Sequence, residues 1–200
     1  MTDTLLLFRR ERPASDVPDE HLVSLCAAGN AAALDLLFRR HGDRVYRFLG
    51  RLPAVHRRDL EDLARATFIE AYRAAVTYAD RTSVSVWIIG IAVGVLQRYL
   101  AGAPQGSSLA ADAQAVQVPA RREDSALYHG MLERVARQIA ELPGELQLAF
   151  VLCDLEEIRG VDVARMLGIS KKTLWGRVTE ARHRLGGALD PVADVAQVAR

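Results

Sequence analysis

Apolar residues recur every three or four positions through the first hundred residues, the spacing that places side chains on one face of a helix. One apolar stripe covers residues 22–52, and a second covers residues 60–75 with Asp59 placed to cap its helix. The stripes consist of Leu22, Leu25, Cys26, Leu34, Leu37, Phe38, Val45, Phe48, Leu49 and Leu52, and of Leu60, Leu63, Ala64, Thr67, Phe68, Ala71, Tyr72 and Ala75. Nothing in this block alternates with the period of two that strands require. The pattern therefore predicts a bundle of helices.

A third helix of this block is unusual because residues 82–97 (TSVSVWIIGIAVGVLQ) include no charged side chain. Thr82 or Ser83 can cap it. Its apolar core, residues 84–96, is too short to span a bilayer and is interrupted by glycine. We therefore expect a buried helix of a globular domain and no membrane segment.

A second helical block follows after residue 122. Asp124 or Ser125 can cap its first helix, whose apolar stripe ends before Pro143. A further helix is expected over residues 145–155, until Gly160 breaks it.

Residues 161–185 (VDVARMLGISKKTLWGRVTEARHRL) have the spacing of two helices that cross at a tight turn. Ala164 is small where the helices would approach, and Gly168 can adopt the positive φ that ends the first helix. Ile169 can fill the space beneath the turn, and Ser170 can cap the second helix. The inward residues of that helix would be Leu174, Val178, Ala181 and Leu185. This is the pattern of a helix-turn-helix.

The two blocks are separated by a stretch of low complexity. Residues 101–120 (AGAPQGSSLAADAQAVQVPA) are rich in Ala, Gly, Ser, Gln and Pro with almost no charge, which is typical of a flexible linker. The predicted fold is all-α, with two helical domains. Its parts are an N-terminal tail (1–18), a helical domain (19–100), a flexible linker (101–122), a helix-turn-helix domain (123–186) and a C-terminal tail (187–200).

The second helix of the helix-turn-helix carries a positive face that suits a phosphate-lined groove. Two lysines lie in its first turn, where positive charge is unfavourable for an isolated helix. Early residues of such a helix meet base edges, while arginines further along hold phosphates. A solvated basic helix that binds nothing, or that binds an acidic protein, is the alternative interpretation. The expected DNA contacts are Lys171, Lys172, Thr173, Trp175, Arg177 and Arg182.

Composition narrows the functional classes further. Hydrophobic residues make up 50% of the chain and charged residues 26%, with a net charge of +1, which is typical of a soluble globular protein. Cys26 and Cys153 have no Cys or His partner at metal-ligand spacing, so we expect no metal site. No nucleophile–base pair or phosphate loop is present, so neither an enzyme nor a cofactor is expected. The start, MTDTLLLFRR, reverses the charge order of a secretory signal and favours a cytoplasmic location.

These segments resemble a known family. Residues 142–185 resemble the fourth conserved region of extracytoplasmic-function (ECF) sigma factors, the small two-domain initiation subunits of bacterial RNA polymerase. Residues 22–49 resemble the start of their second region, and residues 59–74 (DLEDLARATFIEAYRA) resemble its polymerase-binding helix. Residues 87–100 (WIIGIAVGVLQRYL) occupy the place of the helix that reads and melts the downstream promoter element. The resemblance covers residues 20–185 apart from the linker.

The resemblance implies a specificity subunit that catalyses nothing itself. Its partners would be core RNA polymerase, through the β′ clamp helices and the β flap, and promoter DNA, with an anti-sigma factor or an activator as a further candidate. The helix-turn-helix would face the upstream, minus-35 element, and the linker would pass towards the polymerase active centre. The implied polymerase contacts are Arg57, Arg58, Glu61, Asp62 and Arg65. The implied downstream DNA contacts are Arg81, Trp87, Gln97, Arg98 and Tyr99.

The chain departs from the family pattern in the helix assigned to promoter melting. Family members usually carry arginines and an asparagine where this chain has Gly90, Val93 and Gly94. Two alternatives therefore stay open beside a working sigma factor. One is a sigma-like DNA-binding regulator that has lost promoter melting, and the other is a helical adaptor whose apolar helix binds a protein. Further departures are Arg65 and Ala66 in the acidic motif and Trp175 and Glu180 on the DNA-reading helix.

Overall fold

The computed structural model of the 200-residue chain describes residues 17–79, 81–102 and 135–198, with side chains as far as Gly186. Every regular element within these ranges is helical, which confirms the predicted all-α class. Most of the predicted linker (101–122) and the candidate caps Asp124 and Ser125 lie outside the described residues.

The helices follow the order that the apolar stripes predict. The N-terminal block contains α1 (Asp19–Ala27), α2 (Ala31–Gly50), α3 (Leu60–Ala74) and α4 (Val84–Gly102). The C-terminal block contains α5 (described over residues 135–141), α6 (Gly144–Phe150), α7 (Gly160–Leu167) and α8 (Lys171–Val198). Short 3-10 turns, Arg57–Asp59 and Ala75–Thr77, flank α3, and a π-helical turn, Val151–Leu155, extends α6.

Polar side chains and one glycine define several helix ends. Asn30 Oδ1 accepts hydrogen bonds from two backbone N–H groups at the start of α2, at 2.9 and 3.3 Å. Ser83 Oγ accepts the N–H three residues further on at 3.4 Å, and Ser170 Oγ does the same for α8 at 3.0 Å. Gly168 ends α7 with a φ of +65°. The predicted caps at Ser83 and Ser170 and the predicted stop at Gly168 are therefore confirmed.

Two sequence predictions about helix ends are wrong. Asp59 precedes α3, but its side chain accepts no hydrogen bond from the start of that helix. Its Oδ2 instead accepts a hydrogen bond from the Tyr99 hydroxyl at 2.7 Å. Gly160 does not break the preceding helical segment, which has already ended at Leu155, but begins α7. A Cβ at Gly160 would lie 3.1 Å from the ring of Trp175, so glycine leaves room for that ring.

The predicted apolar stripes form the core of the N-terminal block. Phe48, for example, is completely buried where α1 to α4 pack together. Thr67 can be buried in the same block because its hydroxyl donates to the Leu63 carbonyl oxygen at 2.8 Å. Phe38 is an exception, since its side chain is 46% exposed and meets the ring of Phe68 edge-on at a centroid distance of 5.0 Å.

Helix α4 lies inside this core. It contacts α1, α2, α3 and α7. Length and hydropathy alone would permit Val84–Gly102 to cross a membrane, yet such a helix is equally typical of a protein core. Packing against four other helices is typical of a core helix, and this agrees with the burial that the sequence predicts. The buried residues are Val84, Ile88, Ile89, Ala92, Val93, Val95 and Leu96.

The two helical blocks pack against each other. Apolar side chains of both blocks belong to one continuous hydrophobic core. Met166 of α7 lies over Gly90 of α4, where a Cβ would be 3.5 Å from the methionine side chain. Elsewhere between the blocks, Glu156 pairs with Arg44 and Arg51 of α2. The helix-turn-helix is thus held against the uncharged face of α4.

Candidate nucleic-acid and polymerase interface

Helices α7 and α8 form the helix-turn-helix that the sequence predicts. Ala164 is buried, as predicted for the place where the helices approach. The buried Asp162 carboxylate of α7 accepts hydrogen bonds from Arg159 and Arg165, each at 2.9 Å. These bonds satisfy the carboxylate inside the motif. The predicted inward residues of α8 are also buried: Leu174, Val178, Ala181 and Leu185.

The first turn of α8 presents polar and cationic side chains to solvent. Lys171, Lys172 and Thr173 are exposed, and Trp175 beside them is 50% exposed. The Thr173 hydroxyl lies 2.8 Å from the Ser170 hydroxyl, so the turn is ordered by its cap. The ion pairs of α8 among the described residues involve its arginines and not these lysines. The lysines are therefore available to an anionic ligand.

The arginines further along α8 have carboxylate partners in the preceding helical segment. Arg177 donates to Glu145 of α6 at 2.5 Å. Arg182 donates to both carboxylate oxygens of Asp154, at 2.5 and 3.2 Å, and this hydrogen bond is the main cause that raises the pKa of Arg182. Both arginines hold α8 against the preceding helical segment. The sequence did not reveal these two acids as partners, because they lie in an earlier helical segment, far from the arginines in the chain.

Three of the five predicted downstream contacts lie together at the end of α4. Gln97 and Arg98 are exposed, and Arg98 Nη2 lies 3.6 Å from Glu70 Oε2. Tyr99 donates its hydroxyl to Asp59 at 2.7 Å. Partial burial first, and then the hydrogen bond and charge of Asp59, raise the pKa of Tyr99. The group forms a small polar surface on the N-terminal block.

The other two predicted downstream contacts lie near the opposite end of this 19-residue helix. The Trp87 ring packs on Tyr78 at a centroid distance of 5.1 Å and lines a cavity of about 290 Å³ beneath α7. Arg81 is exposed and lines a larger cleft of about 560 Å³ between the two blocks, together with Arg159. The structure therefore does not bring the five residues into one patch.

Packing accounts for two of the three uncharged positions at which α4 departs from the family pattern, Gly90 and Val93, but not for Gly94. Val93 is completely buried, so a charged side chain there would be desolvated. Gly90 is covered by Met166. Gly94 is only partly buried, and a Cβ there would meet the Arg98 side chain at 3.9 Å and nothing else within 4 Å.

The predicted polymerase contacts lie together at the start of α3. All five are exposed. Arg65 lies 2.9 Å from Glu61 and 3.8 Å from Asp62, which organises the acids and the base on one surface. Ile69, one turn further on and 43% exposed, continues this face and was missed from sequence. The available signal was its position four residues after Arg65, on the helix face opposite the apolar stripe. The remaining two predicted contacts are Arg57 and Arg58 of the preceding 3-10 turn.

The cysteines have the environment of packing residues. Burial raises the pKa of the Cys26 thiol, and burial followed by the charge of Asp154 raises that of Cys153. Raised pKa values keep both groups in the weakly nucleophilic thiol form. Among the described residues, no group of three His, Cys, Asp or Glu side chains is placed to hold a metal ion.

The chain is similar in sequence to proteins of a known family. Residues 37–103 match the family model described as Sigma-70 region 2. The ECF RNA polymerase sigma factor SigM of Mycobacterium tuberculosis is 30% identical over 172 residues, which cover 86% of this chain and 84% of that protein. The chain belongs to the ECF family of RNA polymerase sigma factors. The ECF RNA polymerase sigma-E factor of Haemophilus influenzae is 28% identical over 189 residues, covering 90% of this chain and 99% of the relative.

Solved structures show the same fold for this sigma factor. CnrH in complex with the cytosolic domain of CnrY matches with a TM-score of 0.61 at 22% identity, covering 86% of this chain and 97% of that one. RpoE in complex with the anti-sigma factor NepR from Bartonella quintana matches with a TM-score of 0.57 at 19% identity, covering 76% and 96%. The resemblance read from sequence is thus confirmed, and the regulator and adaptor alternatives are not favoured. The family fits a protein that is not an enzyme.

Proposed function

We propose that this sigma factor reads the upstream promoter element with the first turn of α8. The observation that carries the proposal is the exposure of Lys171, Lys172 and Thr173 in the first turn of a helix that is capped by Ser170 and whose arginines further along are ion-paired. A rigid helix whose first turn carries free cations and a hydroxyl can meet phosphates and base edges together. Trp175 lies beside this turn and adds an apolar contact.

Arg177 and Arg182 contribute to the same surface in a second way. Their ion pairs with Glu145 and Asp154 hold α8 at a fixed angle on the C-terminal block. Both lie further along the helix that carries the DNA-facing turn, so each can exchange or share its carboxylate with a phosphate oxygen. We assign them a positioning role first and phosphate contact second.

The downstream element and the polymerase would meet the N-terminal block. Gln97, Arg98 and Tyr99 offer polar groups at the end of α4, and Arg81 and Trp87 lie at its start. Polymerase would bind the start of α3, where acids, arginines and the exposed Ile69 provide a mixed polar and apolar surface of the kind found at protein interfaces. The residues proposed for that surface are Arg57, Arg58, Glu61, Asp62, Arg65 and Ile69.

This assignment describes a non-catalytic subunit that acts in the cytoplasm without a cofactor. Its partners would be core RNA polymerase, through the β′ clamp helices and the β flap, and promoter DNA. An anti-sigma factor is a further candidate partner, since the similar RpoE structure contains the anti-sigma factor NepR. The proposed domain limits remain residues 19–100 and 123–186, joined by a linker over residues 101–122.

Transcription from purified components tests the proposal. Core polymerase with the full chain should start transcripts at discrete sites on genomic DNA, and core polymerase alone should not. Lys172→Ala should reduce the yield from these sites, whereas Arg39→Ala, which removes an exposed arginine of α2, should not. A stable complex with polymerase that starts no transcript at any site would overturn the proposal.

A further inference from the structure

Trp175 is half-exposed on the face of α8 that carries two exposed lysines. Its side chain is 50% exposed, although a tryptophan of a folded domain usually buries most of its large apolar surface. A helix has 3.6 residues per turn, so Trp175 lies between Lys171 and Lys172 on the helix surface. Leu174 and Val178, which point into the block, are completely buried. The indole ring therefore lies on the side of α8 that the proposed function gives to DNA.

A glycine at the start of α7 makes room for this ring. A Cβ at Gly160 would be 3.1 Å from Trp175 Cζ2 and 3.6 Å from Trp175 Cε2, so one edge of the ring occupies the space that a side chain would take. Gly160 has no positive φ, so its own backbone conformation does not require glycine. The ring is thus held between α7 and α8 while half of its surface faces solvent.

The ring and the lysines beside it offer different kinds of contact. Lys171 and Lys172 are flexible cations, and such cations attract phosphates of any sequence. Trp175 carries no charge, so it adds nothing to that attraction. A side chain that is already held in place loses little conformational entropy when it binds. Trp175 therefore suits a contact that depends on the shape and polarity of one base.

The chemistry of the indole ring favours one base over the others. Indole offers a single N–H donor and no acceptor, and the rest of its surface is apolar. In the major groove, guanine, adenine and cytosine present hydrogen-bonding groups, whereas thymine also presents an apolar C5-methyl group. A ring placed against a polar base edge would exclude water without replacing its hydrogen bonds. Against the thymine methyl group, the ring would bury apolar surface on both partners.

We propose that Trp175 is a specificity-determining residue that selects thymine in the upstream promoter element through its C5-methyl group. Gly160 is the positioning residue, since it leaves the space in which the ring lies against α7. This inference deepens the proposed function of the first turn of α8 and rests on it. Base selection belongs to the ring, and phosphate attraction belongs to the lysines.

Replacement of thymine by deoxyuridine tests the contact, because the two bases differ only in the C5-methyl group. The full chain in complex with core polymerase first selects promoter-length duplexes that are randomised in the upstream region. Each thymine of the selected upstream sequence is then replaced in turn, and affinity is measured by competition. At one position the parent should lose affinity about fourfold, as expected for one methyl group removed from an apolar contact. The same replacement should have no effect on Trp175→Ala.

Two further variants test whether the residue at position 175 sets the base. Trp175→Arg should change the preferred base at that position from thymine to guanine, whose O6 and N7 can accept two hydrogen bonds from one guanidinium group. Tyr46→Ala is the matched control, because it removes an aromatic side chain of α2 that is 47% exposed. This control should keep the full effect of deoxyuridine.

Gly160→Ala tests the positioning of the ring. The added methyl group would lie 3.1 Å from the ring, so the ring must shift, and the effect of deoxyuridine should fall below about twofold. The slope of log affinity against log salt should stay the same, because no cation is lost. Gly144→Ala is the matched control: Gly144 is also the first residue of its helix, but a Cβ there meets nothing within 4 Å. Equal effects of deoxyuridine in the two glycine variants would overturn the role of Gly160.

The outcomes separate the inference from the function on which it rests. A parent complex that selects no upstream sequence would overturn the proposed function itself. A selected sequence that contains no thymine, or in which deoxyuridine weakens the parent and Trp175→Ala equally, would overturn thymine selection and leave the proposed function intact. Thymine selection would also be overturned if Trp175→Ala lost affinity for polymerase but kept the base preference, since the ring would then be a protein contact.

Discussion

Glycines at two positions of the helix-turn-helix have different physical roles. Gly168 adopts a φ of +65°, a conformation in which a Cβ crowds the following carbonyl oxygen. Gly160 begins α7 without a positive φ, but a Cβ there would press on Trp175 at 3.1 Å. Gly168 is needed because of its backbone conformation, and Gly160 is needed because the ring of Trp175 lies against it. Only the first has a local sequence signal, because the second depends on a ring fifteen residues further along the chain.

Gly168→Ala should lower the free energy of unfolding by about 1 kcal/mol, because alanine is strained at positive φ. Gly176→Ala is the control with the opposite sign. Gly176 is exposed inside α8 with open space around its Cβ position, so alanine should stabilise the helix by about 0.5–1 kcal/mol. Urea unfolding of both variants measures the difference. Stabilisation by Gly168→Ala would contradict the left-handed turn.

At the scale of single helices, the first turn of α8 carries two lysines that make no ion pair among the described residues, whereas the arginines further along are paired with carboxylates. Lys172→Ala should weaken binding to promoter duplex and reduce the slope of log affinity against log salt by about 1, the change expected for one lost phosphate contact. The free energy of unfolding should stay within about 0.5 kcal/mol of the parent, since the lysine is exposed. Fluorescence anisotropy across a salt series measures the slope. Arg39→Ala removes the same charge from α2 and should leave the slope unchanged.

The hydrogen bond from Tyr99 to Asp59 joins the end of α4 to the start of α3. Tyr99→Phe should lower the free energy of unfolding by about 1 kcal/mol at neutral pH. The pKa of Tyr99 is raised in the folded protein, so the stabilisation is fully present below the ordinary tyrosine value near 10 and is lost as pH rises through the raised value. Urea unfolding at about pH 8 and about pH 11 should show the difference between parent and variant shrinking. A difference that grows with pH would refute this sign.

Local patterns predicted most of the helices but not their long-range partners. The period of apolar residues locates α2, α3 and α8, and the stop at Gly168 follows from backbone sterics alone. Asp59 has the composition of a cap, yet it bonds to Tyr99 because a phenol 40 residues away competes for its carboxylate. The proposed site divides in the same way. The first turn of α8 follows from its own sequence, whereas the carboxylates that hold its arginines come from another helical segment.

At the scale of the whole molecule, the arrangement of the two blocks depends on contacts that no local pattern encodes. Glu156 meets Arg44 across 112 residues and Arg51 across 105. The sequence predicted two modules on a flexible linker and contained no signal for a face between them. What it did contain was an uncharged helix with Gly90 near its centre, and the structure gives that helix a covering partner in α7.

Gly90→Leu should therefore act as a wedge between α4 and α7. A Cβ at this position already contacts Met166, and a leucine side chain extends further towards α7, so we expect it to displace Met166 and α7 without any change in charge. Small-angle scattering should show a radius of gyration several ångströms larger than that of the parent, for which a compact chain of this length gives about 16 Å before its tails are counted. Gly94→Leu is the control, because a Cβ one turn further along the same helix would meet only Arg98 within 4 Å. Both variants gain the same helix propensity. Equal radii would therefore mean that α7 does not rest on α4 in solution, whereas expansion of the Gly90→Leu protein alone would support the contact between α7 and the uncharged face of α4.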